Sequence, residues 1–146
     1  MSDFAVIPNR IVVAIDGSDE SLAAARYAIE IAKMANAELM ALHVIHLPEY
    51  VSDEVSIRLK EELNARGQLA LTAVRQSAQG RGVVLHERTV STTKSVVETI
   101  CGCAVSDGAG MIVLGTRGVG GVAKLMLGSV AAGVVRSAYC PVLVVR

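Results

Sequence analysis

The regular alternation of two kinds of segment constrains the fold of this chain more than any other feature. Short runs of β-branched and aliphatic residues alternate with longer segments in which apolar residues recur every three or four positions. The short runs predict strands at 11–15, 38–45, 83–89, 111–114 and 142–145. Strands that alternate with helices in this way predict an α/β fold with a parallel sheet and helices on both faces.

The helices are expected in the four intervals between these strands. The first begins at Ser18 or Asp19, which are good N-cap residues. The second carries apolar residues over 55–78, and two glycines follow it. The third is expected at 94–105, and the fourth carries its apolar face over 127–138.

Length and composition agree with an open, twisted, five-stranded parallel sheet in one Rossmann-like domain spanning residues 1–146. A chain of 146 residues fits a single hydrophobic core. Apolar residues make up 52% of the chain and aromatic residues only 3%, so the core is expected to be aliphatic. Buried parallel strands have this composition.

Charge and cysteine content exclude several classes of protein. The 14 basic and 14 acidic residues cancel, and no basic run gives the electrostatic footprint of a nucleic-acid-binding protein. No apolar run approaches the length needed to span a bilayer. The odd number of cysteines, without a signal peptide, predicts reduced thiols and a cytoplasmic protein. We expect no disulfide among Cys101, Cys103 and Cys140.

A glycine-rich segment, GTRGVGGVAKLMLGSVAAGVV at 115–135, interrupts the helical pattern after the fourth strand. Its spacing is G-x2-G-x9-G-S, with glycines at Gly115, Gly118 and Gly128 and a serine at Ser129. Small residues let the main chain approach a phosphate or ribose, and the amides of a helix start supply donors. The Asp16 loop also follows a strand, so both loops are expected at the carboxyl edge of the sheet, where such folds bind ligands.

Other phosphate-binding motifs fit this segment poorly. A P-loop requires Lys and Ser/Thr where Gly121 and Val122 stand. The relaxed dinucleotide pattern at 118–123 opens the last crossover, and no acidic residue follows it. Asp16 is not expected to be a phosphate-accepting aspartate, because no lysine follows the later strands in the place that this role requires. Two structural alternatives stay open: a tight turn with close helix–sheet packing for the glycine segment, and a capping or turn role for Asp16.

The remaining chemistry-bearing residues are read as structural. His43, His46 and His86 have no Ser or Cys partner in the sequence, and the G-x-S-x-G pattern is absent. The C-x-C pair at 101–103 lies in an expected helix, where residues two apart face different directions. No catalytic or metal-binding group is assigned to this chain.

Four stretches together resemble the universal stress protein family of the ATP-binding type. They are IVVAIDGSDES at 11–21, MIVLG at 111–115, the G-x2-G-x9-G-S pattern and PVLVV at 141–145. The resemblance covers essentially the whole chain and implies an adenine nucleotide alpha hydrolase-like fold that binds ATP. It places Asp16 by the ribose and adenine and the backbone of Val44 against the adenine. The residues that it places around the ribose and phosphates are Gly115, Thr116, Arg117, Gly118, Gly128, Ser129 and Val130.

We expect a nucleotide-dependent switch in a stress response, with slow or no ATP hydrolysis, because the glycine motif supplies mainly backbone donors and no histidine or carboxylate is assigned to activate water. Mg2+ or Mn2+ would accompany the nucleotide, and an unidentified protein partner would sense the bound state. Two alternatives stay open: an ATPase or phosphotransferase that uses the same pocket, and an interaction module independent of nucleotide. The final strand, 142–145, is short and apolar, so as a sheet edge it predicts a homodimer.

Overall fold

A five-stranded parallel sheet forms the centre of the computed structural model, which describes residues 6–116 and 127–146. The strand order is β3-β2-β1-β4-β5, and every neighbouring pair is parallel. The strands are β1 Arg10–Ala14, β2 Glu38–His46, β3 Leu85–Thr92, β4 Met111–Gly115 and β5 Val142–Val145. The expected α/β fold with a parallel sheet is confirmed.

Among the described residues, four helices connect the strands: α1 Asp19–Ala35, α2 Asp53–Ala78, α3 Val96–Asp107 and α4 Ser129–Ser137. The first three helices begin after a serine whose side chain accepts a hydrogen bond from the amide three residues later, namely Ser18, Ser52 and Ser95. These bonds satisfy donors that a helix start otherwise leaves unpaired. Helix α4 instead follows Gly128, which has no side chain to cap it.

The bounds of three elements differ by two residues or more from those expected from the sequence. Strand β3 spans Leu85–Thr92 rather than 83–89, because its polar end continues to pair with β2 as far as His46. Helix α3 begins at Val96, since Ser95 is its cap, and it ends at Asp107 rather than Val105. Helix α4 begins at Ser129, not Leu127, because Gly128 keeps an extended backbone with ψ of 157°.

The core lies in two layers, one on each face of the sheet. Alternate residues of the strands face opposite sides, so Ile11 and Val13 lie in one layer and Val12 in the other. Helices α1 and α2 cover the first layer with residues such as Ala28 and Leu71. Helices α3 and α4 cover the second. In the described part of the chain, no helix has both the length and the apolar character to cross a bilayer.

Candidate functional site

The strand order reverses at β1, and this places the expected site residues on one edge. The chain runs from β1 outwards to β2 and β3, and then returns to the other side of β1 to form β4 and β5. The carboxyl ends of β2, β1 and β4 therefore lie side by side. Val44 is near the end of β2, Asp16 follows β1, and Gly115 ends β4. Parallel α/β sheets bind ligands at such a switch point.

The loop after β1 is shaped by the half-buried carboxylate of Asp16. Its Oδ1 atom accepts hydrogen bonds from the amide of Ser18 at 2.9 Å and from the hydroxyl of Ser18 at 2.6 Å. The Ser18 hydroxyl oxygen in turn accepts from the amide of Ser21 at 3.1 Å, which caps α1. Gly17 has a φ of +89°, which favours glycine. Asp16 thus has the turn role that stayed open for it, while Ser18 is the cap of α1, and the two bonds fix the carboxylate at the sheet edge.

The backbone amide and carbonyl of Val44 point towards β1, but β1 ends before it reaches the level of Val44. The amide of Ile15 donates to the carbonyl of Leu42 at 2.8 Å, so the backbone of Leu42 faces β1. Backbone direction alternates along a strand, and Val44, two residues later, faces the same way. Strand β1 ends at Ala14 and the chain turns at Asp16. The polar backbone of Val44 therefore faces the switch point, where the sequence resemblance expects the adenine.

Gly115 lies in close contact with the first turn of α1. A Cβ atom at this position would lie 2.8 Å from Cβ of Glu20 and 2.9 Å from its carbonyl carbon. Such contacts are closer than side chains tolerate, so Gly115 lets the first turn of α1 lie against the end of β4. Tight helix–sheet packing, the structural alternative for the glycine segment, is thus present at its first residue.

The two ends of the glycine segment meet at the sheet edge. The amide of Gly128 donates to the carbonyl of Thr116 at 2.6 Å, and the amide of Thr116 donates to the carbonyl of Val145 at 2.9 Å. These bonds hold the start of α4 beside the end of β4. Ser129 and Val130, which open α4, are exposed. Arg117 and Gly118 lie outside the described residues.

His43 and Gly67 form a contact that was not predicted as part of the site. His43 is 5% exposed, and its Nδ1 atom lies 2.8 Å from the carbonyl oxygen of Ile15. The ring lies against Gly67 of α2, where a Cβ atom would overlap it. The isolated glycine inside an apolar helical pattern was the one signal in the sequence for this close approach. His46 and His86 are exposed.

The remaining titratable groups add little chemistry to this edge. Burial, with a smaller effect from the nearby Cys140 thiol, raises the pKa of Cys101, and burial also raises the pKa of Cys140. All three cysteines are free. Within residues 6–116 and 127–146, no group of three or more His, Cys, Asp or Glu side chains is arranged to hold a metal ion.

The amino-acid sequence of this chain is similar to those of known proteins of one family. The model of the universal stress protein family matches residues 8–146. A universal stress protein of Methanocaldococcus jannaschii is 39% identical over 144 residues, covering 94% of this chain and 81% of the relative.

Two solved structures of similar proteins contain adenine nucleotides. A universal stress protein in complex with cAMP has a TM-score of 0.74 and 28% identity, covering 97% of this chain and 99% of that one. A universal stress protein from Archaeoglobus fulgidus in complex with dAMP has a TM-score of 0.68 and 25% identity, covering 97% and 100%. The family match and the shared fold show that this chain belongs to the universal stress protein family.

Proposed function

We propose that this protein binds ATP at the switch point of its sheet and acts as a nucleotide-dependent switch in a stress response. The hydrogen bond between Gly128 and Thr116 carries this proposal, because it holds the start of α4 beside the end of β4. Gly115 and Gly128, which are distant in the sequence, therefore lie on one surface at the same edge of the sheet. The nucleotide would lie across that surface, with its base towards β2 and its phosphates towards α4.

The start of α4 supplies the phosphate end of the proposed site. Gly128 provides no side-chain cap, so the first amides of α4 are not satisfied in the way that serine satisfies those of α1, α2 and α3. A phosphate oxygen would accept from the amides of Ser129 and Val130 and from the Ser129 hydroxyl. The positive end of the helix dipole favours the same charge. Each hydrogen bond to a charged oxygen contributes about 1.5–3 kcal/mol.

The ends of β1 and β2 supply the base and ribose end. The amide and carbonyl of Val44 form a donor and acceptor pair that matches the edge of an adenine. The Asp16 carboxylate, held by Ser18, would accept from ribose hydroxyls. Arg117 and Gly118, which the sequence places between these two ends, remain predicted contacts.

The solved relatives support an adenine nucleotide as the ligand. The proteins described above were solved with cAMP and dAMP, which share the adenine base and at least one phosphate. The choice of ATP rests on the intact G-x2-G-x9-G-S spacing, which offers donors beyond those that one phosphate requires. We propose that Mg2+ or Mn2+ binds with the nucleotide, because a triphosphate needs its charge neutralised.

The described residues favour a switch over an enzyme. His43 is buried and its Nδ1 is engaged by Ile15, while Asp16 is bound to Ser18 at the ribose end. Neither side chain is placed to activate water at a terminal phosphate. Neither therefore supplies the rate enhancement of about 10²–10⁴-fold that a general base provides. We therefore propose slow or no hydrolysis, with the bound state read by a protein partner.

Two further features of the proposal concern assembly and location. Strand β5 is an edge of the sheet, and we propose that it pairs with its mate in a homodimer. The free cysteines support the cytoplasmic location predicted from the sequence.

A single-turnover experiment tests the switch against the enzyme. The protein is loaded with labelled Mg-ATP, freed of excess nucleotide and sampled for bound ATP and released phosphate. We expect ATP to remain bound over minutes, with turnover far below the enzyme median of about 10 s⁻¹. Turnover of several per second that Asp16→Asn stops without weakening binding would establish the enzyme instead.

A further inference from the structure

The last rung of the β1–β2 ladder is formed by a side chain. In a parallel ladder that continued, the carbonyl of Ile15 would accept its next hydrogen bond from the amide of Val44. The carbonyl of Ile15 accepts instead from Nδ1 of His43 at 2.8 Å. A carbonyl oxygen can only accept, so Nδ1 carries a proton and donates it to Ile15.

The position of the His43 ring is fixed by its surroundings. The side chain is 5% exposed, and Nε2 is buried without a hydrogen-bond partner in the described part of the chain. The Nδ1 bond is thus the polar contact that orients the ring. On its other side the ring meets Gly67, where a Cβ atom would lie 2.9 Å from Cγ of His43 and overlap its Cδ2 and Nε2 atoms. The absence of a side chain at Gly67 creates the space that the ring fills.

We propose that His43 is a positioning residue for the nucleotide: it ends the β1–β2 ladder by holding the Ile15 carbonyl, and so reserves the Val44 amide for the base. The same bond fixes the residue that precedes Asp16, and with it the carboxylate at the ribose end. This inference rests on the proposed nucleotide site. It assigns a role in binding to a buried histidine and to the helix glycine that admits it.

Amide exchange of Val44 in the free protein tests the ladder directly, without any ligand. In the wild type we expect the Val44 amide to exchange much faster than that of Leu42. In His43→Leu the side-chain donor is lost at similar volume, the Ile15 carbonyl turns to Val44, and the exchange of Val44 should slow about tenfold. In His43→Asn the side-chain amide can still donate, so the fast exchange should return. A Val44 amide as protected as Leu42 in the wild type would overturn the proposal, and this holds even if His43→Leu fails to fold.

Binding of adenosine and of inorganic triphosphate then separates positioning from general stability. His43→Leu should weaken adenosine binding about tenfold, His43→Asn should restore it, and triphosphate binding should be unchanged in both. Gly67→Ala should act like His43→Leu by displacing the ring, whereas the matched helix variant Gly102→Ala, with open space around it, should not.

The outcomes distinguish the inference from the proposed function. A wild type that binds no adenosine would refute the function, while the exchange of Val44 would still report on the ladder. A wild type that binds adenosine, with His43→Leu binding equally well, would refute the role of His43 alone. Equal weakening of adenosine and triphosphate by His43→Leu would also contradict it, because that pattern indicates a general loss of structure.

Discussion

The amide of Gly128 donates a hydrogen bond to the carbonyl oxygen of Thr116 at 2.6 Å. This bond joins two residues of the glycine-rich segment that residues 117–127 separate in the sequence. It sets the exposed first turn of α4 next to the end of β4, one strand away from the Asp16 loop. The proposed phosphate end and ribose end are therefore neighbours because of the fold.

Ser129→Ala should weaken ATP binding about tenfold, equivalent to about 1.4 kcal/mol, because one hydroxyl donor to a phosphate is lost. Ser129 is exposed, so the free energy of unfolding should stay close to that of the wild type. Calorimetric titration measures the affinity and urea unfolding the stability. Ser137→Ala, an exposed serine at the far end of the same helix, is the control and should bind normally.

Gly115→Ala should lower the free energy of unfolding by about 1–3 kcal/mol, because its new methyl group would meet Glu20 at 2.8 Å. Gly102→Ala is the matched control, since no atom of the described residues lies within 4 Å of a Cβ there. In the exposed middle of α3 it should stabilise the protein by about 1 kcal/mol. Urea unfolding of both variants measures the difference. Equal free energies of unfolding for the two variants would contradict the close packing of Gly115 against α1.

Val144→Pro should dissociate the proposed homodimer. Val145 and Pro141 direct their carbonyls to β4, so by alternation the backbone of Val144 faces the open edge. Proline removes the amide that would pair with a second copy but leaves the β4–β5 ladder in place. Sedimentation should show about twice the monomer mass for the wild type and the monomer for the variant. A monomeric wild type at tens of micromolar would contradict the dimer.

The free energy of unfolding should decline in alkaline solution in part because of two partly buried thiols. Burial raises the pKa of Cys101 and Cys140, so the folded state keeps their protons more tightly than the unfolded state. This stabilisation is fully present below the ordinary cysteine pKa of about 8.5 and is lost as the pH rises through the raised values. Between pH 8 and 10, urea unfolding should show a steeper decline for the wild type than for the Cys101→Ala, Cys140→Ala double variant. Parallel curves would contradict the assignment.

Local signals in the sequence predicted most of the fold. Ser18 was a correct N-cap, and the strand at Val142–Val145 has the expected bounds. Strand β3 was predicted to begin too early, because the apolar residues Val83 and Val84 precede it in the sequence. Its polar end was missed because pairing with β2 holds it in the sheet. Pairing across a sheet is a long-range property that residue type along one strand does not encode.

The sequence predicted that Asp16 and Gly115 share one edge of the sheet, but only part of the packing around them. The switch point follows from the order of the elements, and so does the shared edge of Asp16 and Gly115. The contacts of Gly115 with Glu20 and of His43 with Gly67 join residues far apart in sequence, and only the packing of helices on the sheet brings them together. Arg117 and Gly118 remain predictions, and Gly118→Val should abolish ATP binding by blocking the approach of the ligand to the main chain.

Calorimetric titration of the wild type with Mg-ATP tests the central claim most directly. Binding of ATP across β2, β1 and α4 should give measurable heat with saturation at one nucleotide per chain. The same ligand should raise the melting temperature, because it binds the folded state alone. Saturating Mg-ATP that gives neither heat nor a rise in melting temperature would contradict the account.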